Sequence, residues 1–122
     1  MVFATGATGT VNFNHTSNNY VFAPGIQGAG PGTVNFLSGT TILTGNNTYV
    51  GATNISSGAT AQLGNGGSMG LITGNIANNG ALIFNNSSFP NYGGVISGSG
   101  TVEQRGPNTL TLTADNTYTG LT

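Results

Sequence analysis

Two segments of this 122-residue chain repeat one another, and the repeat restricts the fold more than any other feature of the sequence. Asn47-Thr48-Tyr49-x-Gly51-x-Thr53 recurs 69 residues later as Asn116-Thr117-Tyr118-x-Gly120-x-Thr122. Phe13-Asn14 recurs after 71 residues as Phe84-Asn85. Because the order of the motifs is kept while the offset drifts by single residues, as loop insertions would produce, the chain contains two copies of one unit.

Short β-strands separated by turns are predicted throughout the chain. Thr109-Leu110-Thr111-Leu112-Thr113 alternates polar and apolar residues, and residues 81–84 and 40–44 form similar runs. Gly, Asn or Pro interrupts the chain every few residues, as in Asn78-Asn79-Gly80, which leaves no window of helical length. A repeat of about 70 residues is too long for one solenoid turn and fits about three turns of twenty-odd residues each. The sequence therefore predicts an all-β parallel solenoid of about five to six turns, with no helices of note.

The two copies indicate a single domain, residues 1–122, with degenerate repeats at about 6–53 and 74–122 and an extra turn or insertion at 54–73. Like residues lie above one another in stacked parallel turns. We therefore expect Phe13 with Phe84, and Leu43 with Leu112, to be equivalent positions in inward-facing columns. The structural positions predicted from the repeat are Asn47, Thr48, Tyr49, Gly51, Asn116, Thr117, Tyr118, Gly120, Leu43, Leu112, Phe13 and Phe84.

The second copy resembles the passenger-associated transport repeat of bacterial autotransporters. Residues 109–120, Thr-Leu-Thr-Leu-Thr-Ala-Asp-Asn-Thr-Tyr-Thr-Gly, resemble its most characteristic part, residues 74–85 its opening and residues 94–102 its middle. The first copy is similar at residues 43–51, and Glu103-Gln104-Arg105 departs from the pattern where the family commonly has a Lys. The resemblance implies a right-handed parallel β-helix, flanked by further turns of a longer passenger. It also implies an extracellular or cell-surface location in an outer-membrane-anchored parent, with a role in export, folding and display.

Charge is almost absent from the chain, which excludes several classes of partner. Charged residues make up 2% of the sequence and the formal net charge is −1. Nucleic-acid binding requires Lys and Arg to neutralise phosphates, so no nucleic-acid partner is expected. There is no Cys and no apolar stretch long enough for a transmembrane helix, so we expect neither a thiolate metal site nor membrane insertion by this segment.

The few ionisable side chains do not form a recognisable catalytic pattern. They are His15, Glu103, Arg105 and Asp115, apart from tyrosines and the termini. None recurs in its repeat position, and the position of Asp115 is occupied by Asn46 in the first copy. We expect an exposed ion pair between Glu103 and Arg105, and a solvated turn role for His15. The sequence therefore predicts no catalytic, cofactor-binding or metal-binding residues, no cofactor and no enzymatic activity.

Two residue patterns provide alternatives to a purely structural role. Thr109, Thr111 and Thr113 lie on one face of a predicted strand, as in ice-binding solenoids, although Ile42 takes the position of Thr111 in the first copy. An aromatic strip for stacking on surface glycans could be formed by Phe13, Tyr20, Phe22, Phe84, Phe89 and Tyr92. Because Phe13 and Phe84 share a repeat position, as do Tyr20 and Tyr92, an internal stack is the favoured interpretation. A glycan- or ice-binding module thus remains an alternative, with glycans or host proteins as partners.

Self-association is a further expectation. Residues 2–8 (Val-Phe-Ala-Thr-Gly-Ala-Thr) resemble residues 54–60 (Asn-Ile-Ser-Ser-Gly-Ala-Thr), which continue the first copy beyond the point equivalent to Thr122. The start of one molecule therefore looks like the continuation of another. Solenoid ends expose unpaired strand edges, and little charge is available to block them. We expect head-to-tail stacking, and an extracellular filament subunit is the corresponding alternative function.

Overall fold

The computed structural model describes residues 2–3, 9–28, 32–87, 91–107 and 109–122. The described residues form short strands and no helix. The strands are β1 (Val2–Phe3), β2 (Thr10–Asn14), β3 (Tyr20–Phe22), β4 (Gln27–Gly28), β5 (Thr33–Ser38), β6 (Thr40–Leu43), β7 (Thr53–Ile55), β8 (Thr60–Leu63), β9 (Ile76–Asn78), β10 (Ala81–Phe84), β11 (Asn91–Tyr92), β12 (Ile96–Ser97), β13 (Thr101–Gln104) and β14 (Thr111–Leu112). With no helix among these residues, none is available to cross a membrane.

The strands stack in parallel into a β-solenoid of about five turns. One five-stranded sheet has the order β12-β9-β7-β5-β2 and forms the first face; a second has the order β13-β10-β8-β6-β3 and forms the second face. The third face is the remaining side of each turn and carries the pairs β1–β4 and β11–β14. Each described pair of strands is parallel, so the predicted all-β parallel solenoid is confirmed.

Alternation along each strand separates the core from the outer surface. On β6, Leu43 is fully buried in the core, and its partner Leu63 on the next turn is buried in the same column. On the first face, Val34 and Phe36 are equally buried. Apolar side chains from all three faces thus meet along the axis, and each added turn extends a core that no single turn could enclose.

The two copies of the repeat lie one face apart, which corrects the expected columns. Three turns from Phe13 lead through Phe36 and Ile55 to Asn78, and Phe84 lies six residues farther along, on the second face. Phe13 and Phe84 therefore do not share a column.

The same displacement separates Leu43 from Leu112. Three turns from Leu43 lead through Leu63 and Phe84 to Gln104, whereas Leu112 lies on the third face and pairs with the strand of Tyr92. The physical reason is the length of a turn: partners on the first face are 19 residues apart at Val34–Thr53 and 23 apart at Thr53–Ile76. Three such turns are shorter than the 69 to 71 residues of the repeat.

Candidate functional site

The first repeated motif fastens one turn to the turn before it. The backbone N–H of Ile26 donates a hydrogen bond of 2.9 Å to Asn47 Oδ1, and Asn47 Nδ2 donates to the carbonyl oxygen of Gly45 at 3.3 Å. In return, the N–H groups of Thr48 and Tyr49 both donate to the carbonyl oxygen of Ile26, at 2.9 and 3.2 Å. Ile26 and Asn47 are both buried, so these bonds are shielded from water.

The second copy repeats this geometry around another isoleucine. The N–H of Ile96 donates to Asn116 Oδ1 at 2.8 Å, while the N–H groups of Thr117 and Tyr118 donate to the carbonyl oxygen of Ile96 at 2.9 and 3.2 Å. We call residues 47–53 and 116–122 the clamp motifs. The clamped Ile26 and Ile96 were not among the predicted positions, although Ile26-x-Gly28 and Ile96-x-Gly98 recur with an offset of 70 residues.

A second hydrogen bond closes each clamp motif on itself. The hydroxyl groups of Tyr49 and Thr53 lie 2.5 Å apart, and those of Tyr118 and Thr122 lie at the same distance. Gly120 is required for the tight packing of the second clamp, because a Cβ at this position would collide with the carbonyl oxygen of Gly100. The motif therefore fixes both its own corner and the turn below it.

Burial of the tyrosines keeps their hydroxyl groups neutral. Desolvation raises the pKa of Tyr49 to about 12, although its hydrogen bond with Thr53 acts in the opposite direction. Desolvation also raises the pKa of Tyr92, with a further increase from the nearby Tyr49, and the Tyr92 hydroxyl donates to the carbonyl oxygen of Gly74. Phenols with raised pKa values remain hydrogen-bond donors and are poor general bases, so this arrangement suits a structural role.

The ionisable residues are dispersed over the surface. Arg105 Nε lies 2.6 Å from Glu103 Oε2, and both side chains are half exposed, as expected for a weak surface ion pair. The ring of His15 lies edge-on to Tyr20, and its Nε2 is 2.8 Å from Oγ1 of the buried Thr41. His15 is thus partly buried and hydrogen-bonded at the end of β2, and the expectation of a solvated turn residue is wrong.

No metal-binding cluster is found among the described residues: none of their His, Cys, Asp and Glu side chains form a group of three or more. The cleft around His15 is lined by Val11, Asn12, Phe13, Asn14, Ser17, Tyr20 and Phe22, so no carboxylate faces the imidazole there. The ring nitrogens of His15 instead face the hydroxyl group of Thr41 and the backbone N–H of Ser17.

The aromatic strip largely forms the core. Phe13, Phe84 and Tyr92 are buried, and the ring of Phe13 stacks on Phe36 with 5.1 Å between centroids. Tyr20 is the exception, at 42% exposed, and Phe89 lies outside the described residues. These three rings therefore lie in the core, as the internal interpretation predicts, but Phe13 stacks on Phe36 and not on its repeat equivalent Phe84.

The threonine row does not continue from turn to turn. Thr109, Thr111 and Thr113 are exposed while Leu110 and Leu112 face the core, but the partner of Thr111 on the adjacent turn is an asparagine, Asn91. A flat array of stacked threonines is not formed at this position.

An asparagine ladder lies on the outer side of the first face. Asn35 Nδ2 donates to Asn12 Oδ1 at 3.0 Å, and Asn54 Nδ2 donates to Asn35 Oδ1 at 2.9 Å. The structure places this ladder in the middle of the stacked strands β2, β5 and β7, not at a corner. The tetrapeptide Thr-Val-Asn-Phe, which occurs at residues 10–13 and again at 33–36, is the sequence feature that could have indicated this ladder.

Both clamp motifs lie in segments of the chain that match a known family model. Residues 38–60 and 102–122, about a third of the chain, match the family model of the passenger-associated-transport-repeat. The chain is also similar to a curated protein, the adhesin BmaC autotransporter of Brucella suis biovar 1 (strain 1330), with 49% identity over 63 residues. That alignment covers 51% of this chain and 2% of the relative, so the chain corresponds to a small part of that protein's length. No solved structure matches the chain.

Proposed function

We propose that this chain, two segments of which match the family model of the passenger-associated-transport-repeat, is a non-catalytic structural segment of an autotransporter passenger. Its role would be to form a rigid part of a stalk or adhesin body at the bacterial surface. The observation that carries the proposal is the clamp motif, whose two copies use the same hydrogen bonds to join consecutive turns (Asn47 to Ile26, Asn116 to Ile96). A motif of this kind extends a rod and presents no reactive group.

Continuity with flanking turns is supported by the surface at the C-terminal side of the stack. The carbonyl oxygen of Leu121 accepts a hydrogen bond from the N–H of Val102, and Leu121 is 82% exposed. A further turn stacked on this segment would bury Leu121 as the other turns bury their own apolar residues. The relative is named an adhesin, and we extend to this chain only the role of supporting an adhesive surface.

A length measurement tests the rod. Two copies of the chain joined in tandem, without a flexible linker, should form one continuous solenoid. Each copy contributes about five turns, which at ~4.8 Å per turn adds roughly 25 Å to the maximum dimension measured by small-angle X-ray scattering. Two compact bodies joined by a mobile connection, with a broad distance distribution, would contradict the proposal.

A separate surface-display experiment tests whether this chain assists the export of a passenger. The chain would be inserted into the passenger of a laboratory autotransporter that carries an epitope, with Asn47→Ala and Asn116→Ala introduced together in a matched variant. If clamp-stabilised folding aids export, the variant displays less epitope on intact cells at equal expression. Equal display of both forms would remove the export role and leave the structural role in place.

Head-to-tail self-association is a second candidate, supported by apolar surface near both ends of the stack. At one end is the exposed Leu121; at the other, a cavity of about 400 Å³ is lined in part by Phe13 and Phe22. Most of the N-terminal segment for which stacking was predicted, residues 4–8, lies outside the described residues. Sedimentation velocity should show assemblies that Leu121→Asp disrupts, whereas Val50→Asp, at a residue 58% exposed on the side of the rod, should leave them intact. A monomer at high concentration would exclude a filament.

A further inference from the structure

The outer side of the second face contains a cleft whose floor is buried. Ile42, Gln62 and Ile83 are register partners on β6, β8 and β10, and they are 5%, 4% and 9% exposed. Their strand neighbours Leu43 and Leu63 belong to the core cluster, whereas Ile42 and Ile83 do not. Because successive side chains of a strand point to opposite faces, the three floor residues face outward and are shielded by the walls around them. We call this the amide cleft.

The walls of the amide cleft carry amide groups that the fold does not use. Its volume is about 420 Å³, within the range of small-molecule sites. The residues that line it besides the floor are Asn18, Asn19, Thr40, Thr60, Asn65, Asn85 and Arg105. In the described part of the chain, the side-chain amides of these four asparagines make no hydrogen bond, in contrast to those of the ladder and the clamps.

The positive charge of Arg105 at the amide cleft is offset by the carboxylate of Glu103. Arg105 is the single Lys or Arg residue of the sequence, and its Nε is paired with Glu103 at 2.6 Å. Its Nη1 donates to Gln62 Oε1 at 3.3 Å, and Gln62 Nε2 donates to the carbonyl oxygen of Gly64, so the polar part of the floor is held in one orientation. An anionic ligand would have to compete with Glu103 for the guanidinium group.

We propose that the amide cleft binds a neutral oligosaccharide. Each free amide offers two N–H donors and one acceptor oxygen, which suits sugar hydroxyl groups because these also donate and accept hydrogen bonds. Because Ile42 and Ile83 are only 5% and 9% exposed, the wall amides rather than the floor would provide most contacts with the sugar. A peptide strand has no free edge to pair with here, because β8, in the centre of the cleft, is paired with β6 and β10.

Nuclear magnetic resonance titrations of the isotope-labelled chain test this inference. The probes are the neutral tetramers of β-1,4-glucose, α-1,4-glucose and N-acetylglucosamine, with tetragalacturonate as the acidic comparison. At least one neutral probe should shift the side-chain amide signals of Asn18, Asn65 and Asn85. The double variant Asn65→Ala/Asn85→Ala should weaken binding about tenfold, the effect of losing two neutral hydrogen bonds.

The matched control is Asn46→Ala/Asn91→Ala. These asparagines are also exposed, their amides make no hydrogen bond to the described residues, and they lie outside the cleft, so affinity should not change. In Glu103→Gln, which releases Arg105 from its carboxylate partner, the preference should shift towards tetragalacturonate. The inference is overturned if no neutral probe shifts the cleft amides, if only the acidic probe binds, or if both double variants lose affinity equally.

Discussion

Replacing Asn47 by Ala removes the side chain that holds the first clamp, and its cost can be worked out from the contacts. The N–H of Ile26, whose residue is fully buried, loses its acceptor at Asn47 Oδ1, and the bond to the carbonyl oxygen of Gly45 is lost as well. A buried donor without a partner costs about 1–3 kcal/mol, and an ordinary hydrogen bond contributes about 1 kcal/mol. We therefore expect Asn47→Ala to lower the free energy of unfolding by about 2–4 kcal/mol.

The assay is equilibrium unfolding in urea, followed by far-ultraviolet circular dichroism. With a slope of about 2 kcal/mol per molar urea, the midpoint should fall by roughly 1–2 M. Asn46→Ala is the matched control, since its exposed side chain makes no hydrogen bond to the described residues and its replacement should change stability by less than about 0.5 kcal/mol. Asn47→Asp keeps an acceptor for Ile26 and should recover part of the loss. Equal midpoints for the two alanine variants would show that the clamp does not stabilise the stack.

Three further predictions concern the core, a corner and alkaline pH. Leu43→Ala should lower the free energy of unfolding in urea by about 2–5 kcal/mol, because Leu43 lies in the filled core. Thr111→Ala should leave it nearly unchanged, because Thr111 lies on the exposed side of β14. Similar losses for the two variants would contradict the assignment of the faces. Gly70→Ala should lower the melting temperature strongly, because φ is +96° and a Cβ would collide with the carbonyl oxygen of Leu43. Gly67→Ala is the control, since a Cβ at Gly67 meets nothing within 4 Å. Equal melting temperatures for the two alanine variants would refute the corner geometry. Burial raises the pKa of Tyr49 from 10.0 to about 12, so the stability that the neutral Tyr49 contributes is complete below pH 10 and falls by roughly 2–3 kcal/mol as the pH rises towards 12. Tyr49→Phe should flatten this part of the plot of unfolding free energy against pH. An unchanged plot would refute the role of burial.

The clamp motifs show how far the sequence identifies the candidate site. Asn47, Tyr49 and their equivalents stand out because the same side chains recur at the same spacing. What they hold could not be inferred in the same way, since Ile26 is 21 residues away from Asn47 and becomes its neighbour only when one turn stacks on another. Likewise, nothing local distinguishes the free Asn65 from the clamping Asn47, because their difference lies in the partners that the neighbouring turns provide.

The sequence by itself determined the class of fold: alternating short strands, corner residues and an internal repeat allow little other than stacked parallel turns. The tertiary structure alone decided which face each copy occupies and which outward side chains are enclosed. The physical reason is that hydrogen bonds between adjacent turns set the register, as where Val34 faces Thr53 after 19 residues and Thr53 faces Ile76 after 23. Loops absorb the difference in length. Turn length, not the spacing of the repeat, therefore places Phe13 on the first face and Phe84 on the second.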